Sequence, residues 1–75
     1  MITPLRAERE KRDDVAASQV AKAVGIDQSY YSKIELGKIK PSAEIAERIA
    51  LYFGHAVSEM QILYPERFPA PGRAA

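Results

Sequence analysis

The segment from Gly25 to Glu35 constrains the fold of this chain more than any other part. It reads Gly-Ile-Asp-Gln-Ser-Tyr-Tyr-Ser-Lys-Ile-Glu. Gly25 suits the positive φ that follows a helix, and Asp27 suits the N-cap of the next one. Apolar residues precede the glycine at the spacing of one helix face: Val20, Ala21 and Val24. The segment therefore predicts a helix-turn-helix, whose second helix begins after Asp27 and continues to about Glu35.

The rest of the pattern predicts an all-α fold in a single domain, since 75 residues are too few for two. Thr3 and the pair Asp13-Asp14 suit the N-caps of the first two helices. A core face is clearest at Ile45, Ala46, Ile49, Ala50 and Phe53, with Tyr31 and Ile34 also facing inward. Five helices are predicted. The first runs from Pro4 to about Arg12 and the second from Val15 or Ala16 to Val24. The other three follow the N-caps Asp27, Ser42 and Ser58 and end at about Glu35, at Gly54 and at Pro65. We expect residues 1–65 to form the domain and residues 66–75 a short tail rich in proline and alanine.

Composition excludes several classes of protein. Cysteine is absent and His55 is the single histidine, which excludes disulfide frameworks and histidine-cysteine metal clusters, so we expect no metal and no cofactor. The sequence contains no apolar run long enough for a membrane span and no signal peptide at its start, so we expect a cytoplasmic protein. Ser58 and His55 lack a third catalytic member and a glycine elbow, so an enzyme is not expected.

Charge points weakly toward nucleic acid. The net charge is only +1, which is low for a DNA-binding protein. Residues 1–40 carry eight Lys and Arg against six Asp and Glu, whereas residues 41–75 carry three against four. The basic surplus therefore lies in the half that contains the helix-turn-helix, although an ordinary surface could show the same imbalance.

The outer face of the second helix of the motif carries the groups that major-groove reading requires. Its polar residues are Gln28, Ser29, Ser32 and Lys33. An amide such as that of Gln28 can bond bidentately to adenine, and the lysine can approach guanine or a phosphate. Lys38 and Lys40 follow the helix, where phosphates would pass. The alternative is that this face is simply solvated.

These residues resemble the pattern of the XRE family, which includes the lambda-type phage repressors and Cro. That pattern reads leucine-alanine, two residues, leucine-glycine-valine, serine-glutamine, then isoleucine-serine-lysine-isoleucine-glutamate, one residue, glycine-lysine, and proline-serine. The matching positions are Val20-Ala21, Val24-Gly25-Ile26, Ser32-Lys33-Ile34-Glu35, Gly37-Lys38 and Pro41-Ser42. The resemblance extends over about residues 5–64 and is specific because these features agree together.

The resemblance implies a lambda-repressor-like domain of five helices that binds double-stranded DNA. It implies base contacts from the polar face, namely Gln28, Ser29, Ser32 and Lys33, and backbone contacts from Lys38 and Lys40. In this family the glutamate at Glu35 commonly pairs with an arginine of the first helix. Arg9 is the first candidate; Arg6 and Arg12 stay open, since the junction before the second helix is one residue longer than usual.

Two departures from the family pattern matter. Ala16 and Ala17 stand where threonine-glutamine usually begins the second helix, so a phosphate contact of that glutamine is missing. Tyr31 occupies a position that is usually leucine or isoleucine, and its hydroxyl needs a partner in the core. Its neighbour Tyr30 is expected to be exposed and to contact the DNA backbone.

The resemblance favours a sequence-specific repressor of phage or prophage origin, bound to a palindromic operator as a homodimer, with no small-molecule substrate. An apolar segment beyond the motif would suit the dimer surface: Val57, Met60, Leu63, Tyr64 and Phe68. Two alternatives remain. Small domains of this family also serve as antitoxins or other protein-interaction modules, and a helical bundle without a ligand would show no salt-dependent affinity for DNA.

Overall fold

A computed structural model describes residues 2–68 of the chain. They form α1 (Pro4–Glu10), α2 (Ala17–Val24), α3 (Gln28–Glu35), α4 (Ala43–Tyr52), α5 (Glu59–Leu63) and the 3₁₀ helix η1 (Pro65–Arg67). Within this range there is no strand, so the predicted all-α fold of five helices is confirmed. None of these helices is long and apolar enough to cross a membrane. Of the predicted tail, η1 takes up the beginning, and residues 69–75 lie outside the described part of the chain.

The first helix starts as predicted but ends early. Thr3 Oγ1 accepts a hydrogen bond from the Arg6 N–H at 3.1 Å, and Pro4 occupies the first turn. The helix ends at Glu10 and not at Arg12. The Arg12 N–H bonds to the Arg9 carbonyl at 3.0 Å, a three-residue step that tightens the chain and leaves the α-helix.

The start of α2 differs from the prediction. Asp13 and Asp14 do not cap it, because the N-cap residue is Ala16, which has no side-chain oxygen to offer. Gln19 compensates: its Oε1 accepts the Ala16 N–H at 2.6 Å. The helix therefore begins at Ala17, one or two residues later than expected.

The turn between α2 and α3 follows the sequence signals. Gly25 has φ of 81°, where a residue with a Cβ would be strained, and its N–H bonds back to the end of α2. Ile26 donates its N–H to the Ala21 carbonyl at 2.9 Å. Asp27 Oδ2 then accepts the N–H groups of Ser29 at 2.9 Å and of Tyr30 at 3.3 Å. The predicted helix-turn-helix is confirmed.

One apolar core joins all five helices. α4 packs against α2 and α5, and α5 also packs against α1. The buried apolar residues are Leu5, Val20, Ala21, Val24, Tyr31, Ile34, Ala46, Ile49, Ala50, Phe53, Val57 and Ile62. The predicted face of α4 lies within this core except for Ile45, which is only partly buried.

Val57 corrects one expectation. The sequence places it on a dimer surface, but only 1% of it is exposed. α5 packs on both α1 and α4, so the residue that leads into α5 is enclosed between them. Ile62, which the pattern did not single out, is the buried residue of α5 itself, at 3% exposure.

Candidate nucleic-acid interface

α3 presents two different faces. Its inner face is buried and consists of Tyr31, Ile34 and Glu35. On the outer side the predicted base-contact residues lie together: Gln28, Ser29 and Lys33 are exposed, and Ser32 is half-buried. None of these four side chains hydrogen-bonds to another residue in the range 2–68. Their donors and acceptors are therefore available to a ligand.

Tyr30 departs from the expectation that it would be exposed. It is half-buried and packs against the apolar core. Its backbone N–H is also occupied, because it donates to the N-cap carboxylate of Asp27. Less of the tyrosine ring is therefore available for a DNA backbone contact than the sequence suggested.

Glu35 connects α3 to α1. Arg9 donates from Nε to Glu35 Oε2 at 2.6 Å and from Nη2 to Oε1 at 2.9 Å, which is a bidentate ion pair. The Tyr31 hydroxyl donates to Oε2 at 2.8 Å, and Thr3 Oγ1 donates to the Glu35 carbonyl at 2.5 Å. Arg9 Nη1 donates a further hydrogen bond to the Val15 carbonyl at 3.3 Å. The inner face of α3 is thus fixed to α1 and to the junction before α2.

The two other arginines considered for Glu35 are bound elsewhere. Arg6 pairs with Glu10 at 3.0 Å, and Arg12 pairs with Glu8 at 3.0 Å. Within the Glu35 network, the hydrogen bond to the carboxylate raises the pKa of Arg9, against an opposing effect of burial. Burial, reinforced by the neighbouring charge of Glu35, raises the pKa of Tyr31.

Two parts of this network were missed in the sequence. The sequence predicts Thr3 only as the cap of α1, yet its hydroxyl also donates to the Glu35 carbonyl at the end of α3. No partner for the Tyr31 hydroxyl is predicted from the sequence, although Glu35 lies four residues later on the same helix, the spacing at which side chains meet. That spacing was a usable signal, whereas the Thr3 contact, which joins residues 32 apart, had none.

The lysines and arginines fall into two groups, those with an acidic ion-pair partner and those without one. Within residues 2–68, ion pairs hold Arg6, Arg9, Lys11, Arg12 and Arg48. The cations in that range without an acidic partner are Lys22, Lys33, Lys38, Lys40 and Arg67. All of these except Lys22 lie on α3, on the loop after it, or on η1. In the part of the chain that the structure describes, most of the unpaired positive charge thus lies on α3, on the loop after it and on η1.

The two loop lysines differ in their surroundings. Lys38 is exposed. Lys40 is also exposed, but its Nζ donates a hydrogen bond to the Leu63 carbonyl at the end of α5. The same Nζ lies 4.3 Å from the centroid of the Tyr64 ring. The loop after α3 is therefore attached to the C-terminal end of α5.

The residues expected at a dimer surface do not form one exposed patch. Met60 is 47% exposed. Leu63, Tyr64 and Phe68 are half-buried, with Leu63 packed on the core, and Val57 belongs to the core itself.

Comparison with known proteins agrees with this geometry. A family model described as helix-turn-helix matches residues 5–58, which is more than half of the chain and extends from the second residue of α1 past the end of α4. No curated protein and no solved structure matches the chain. The resemblance to the XRE pattern is thereby confirmed. The chain belongs to the XRE-type helix-turn-helix family of DNA-binding transcription regulators.

Proposed function

We propose that the protein is a sequence-specific transcriptional repressor of the lambda type, which reads its operator through α3. The observation that carries this proposal is the contrast between the two faces of that helix. The inner face is held by the Arg9–Glu35 ion pair, and the outer face offers unbonded polar groups. A rigidly held helix with free donors and acceptors is what direct reading of the major groove requires.

Gln28 is the central reading residue in this proposal. It is the first residue of α3 and is exposed, so its amide lies at the end of the helix that enters the groove in this motif. Its bidentate bond to an adenine would discriminate by about 1–3 kcal/mol. Ser29, Ser32 and Lys33 supply the neighbouring base contacts.

Backbone contacts come mainly from the loop after α3. Lys38 is exposed and unpaired within residues 2–68, and Lys40 lies nearby on the same loop. At the start of α2, Ala16 and Ala17 offer no side chain to a phosphate. More of the non-specific affinity therefore rests on this loop.

We further propose a homodimer on a palindromic operator, with half-sites about 34 Å apart, because the family resemblance implies this arrangement and one weakly charged domain would bind poorly alone. Met60, exposed on α5, is the centre of the proposed dimer surface, to which Leu63 and Phe68, both half-buried, add only their accessible parts. Val57 no longer belongs to this surface because it is buried.

The reading helix is tested with a Gln28→Ala variant. We expect its affinity for the operator half-site to fall about 10- to 100-fold, the equivalent of one lost bidentate contact, while affinity for random duplex stays the same. The operator is first obtained by selecting bound sequences from random DNA. Lys22→Ala, which removes an exposed lysine of α2, is the control. Equal discrimination by the variant and the wild type would reject α3 as the reading helix.

The dimer is tested with a Met60→Glu variant. A charge at the centre of an apolar contact is costly to bury, so we expect the variant to sediment as a monomer at concentrations where the wild type is a dimer. Glu47→Gln, at an exposed position of α4, is the control. A wild type that stays monomeric even on operator DNA would contradict the proposed dimer.

A further inference from the structure

Tyr64 brings together two cations from different parts of the chain. Lys40 Nζ, from the loop after α3, lies 4.3 Å from the centroid of the tyrosine ring. The guanidinium carbon of Arg67, from η1, lies 4.8 Å from the same centroid. Both distances are within the range of a cation–π interaction. The aromatic ring thus holds Arg67 close to a loop that is already expected to meet phosphates.

The charges around this ring are not balanced by acids. In the part of the chain that the structure describes, neither Lys40 nor Arg67 has an acidic partner within ion-pair distance. Glu66 lines the groove of about 200 Å³ between the loop and the end of α5, but it pairs with neither cation. Two cations around one ring, neither paired with an acid, make this place locally positive, so it attracts an anion.

We propose that Arg67, held by Tyr64, is an additional contact to the phosphate backbone of duplex DNA. It extends the backbone contacts of Lys38 and Lys40 from the loop to η1 and rests on the DNA reading proposed above. A guanidinium stacked on an aromatic ring keeps its N–H donors free at its edge, and their fork matches two phosphate oxygens. The contact adds backbone affinity to a domain whose α2 begins with two alanines.

The same geometry separates Tyr64 from the dimer surface. Its ring is occupied by Lys40 and Arg67, so under this proposal it belongs to the surface that contacts DNA and not to the dimer surface.

An Arg67→Gln variant tests this contact by its salt dependence. The slope of log affinity against log salt is negative, and loss of one phosphate contact makes it shallower by about 0.9 for each protomer. We expect that change, together with an equal fold-loss of affinity on operator and on random duplex at one salt concentration. Arg48→Gln is the matched control, since it removes the same charge from α4, where Arg48 already pairs with Glu44. Its slope is expected to equal that of the wild type.

Two variants of Tyr64 distinguish the role of its aromatic ring, which holds Arg67, from the charge of Arg67 itself. Tyr64→Phe keeps a ring for Arg67 and is expected to keep the wild-type slope. Tyr64→Leu removes the ring and is expected to make the slope shallower, as Arg67→Gln does. Circular dichroism verifies that both variants are folded. A salt-dependent wild type whose slope is unchanged in Arg67→Gln would overturn the Arg67 contact alone. A wild type without salt-dependent binding would overturn the proposed DNA reading as well.

Discussion

An Arg9→Met variant is expected to lose about 3–5 kcal/mol of unfolding free energy, since removing one member of a buried ion pair leaves the other charge uncompensated. The side chain of Glu35 is only 7% exposed, so water is a poor substitute for the two hydrogen bonds that Arg9 donates to it. Small domains have a total stability of only about 5 kcal/mol or slightly more. The variant should therefore keep only about 0–2 kcal/mol of stability, so that a measurable fraction of it is unfolded at room temperature.

Urea unfolding measures this effect, and the chain offers a matched control. Arg6 forms an ion pair with Glu10 on the same helix, but the two side chains are 39% and 47% exposed. Arg6→Met should cost less than about 1 kcal/mol, because exposed pairs contribute little. If Arg9→Met were as mild as Arg6→Met, Arg9 would not be what compensates the Glu35 charge.

A triple variant distinguishes the loss of a contact from the stranding of a charge. Arg9→Met, Tyr31→Phe and Glu35→Met together replace the three polar side chains that meet at the Glu35 carboxylate by apolar groups. Such replacements are often neutral or stabilising, so we expect the triple variant to recover most of the stability that Arg9→Met loses. A triple variant that remained as unstable as the single variant would show that the network stabilises the domain by its bonds and not only by neutralising Glu35.

The α2–α3 turn could be predicted from the sequence because its signals are local and agree with one another. Gly25 adopts the positive φ that its type favours, and Asp27 caps the helix that follows it. The start of α2 could not be predicted in the same way. Asp13 and Asp14 suggest a cap, whereas the N-cap is Ala16, whose N–H donates a hydrogen bond to the side chain of Gln19.

The candidate site likewise contains features that local sequence patterns predict and features that they do not. The outer face of α3 follows from helical periodicity, so Gln28 and Lys33 could be placed there from the sequence. The attachment of Lys40 to Leu63 joins residues 23 apart, and no local pattern encodes it. Val57 shows a second limit, because an apolar residue beside a helix cap looks the same in sequence whether it enters the core or a dimer surface.

Tyr31 should make the domain sensitive to alkali. Burial raises the pKa of its hydroxyl, and the adjacent charge of Glu35 and the hydrogen bond to it act in the same direction. Below the ordinary tyrosine pKa of about 10, both folded and unfolded chains hold this proton, so its contribution to stability is fully present. Above that pH the unfolded chain releases the proton while the folded domain retains it. Unfolding is then favoured by about 1.4 kcal/mol for each further pH unit.

The comparison of wild type with Tyr31→Phe isolates this effect, because the other tyrosines and the lysines titrate in both proteins. Near pH 8 the variant should be less stable by about 1 kcal/mol, since it lacks the hydroxyl bond to Glu35. The wild type alone then loses stability through Tyr31 as the pH rises. The two unfolding free energies should therefore become equal near about pH 11, with the variant more stable above it. A difference that stays constant from pH 8 to pH 12 would mean that the Tyr31 proton is held no more tightly in the folded domain than in the unfolded chain.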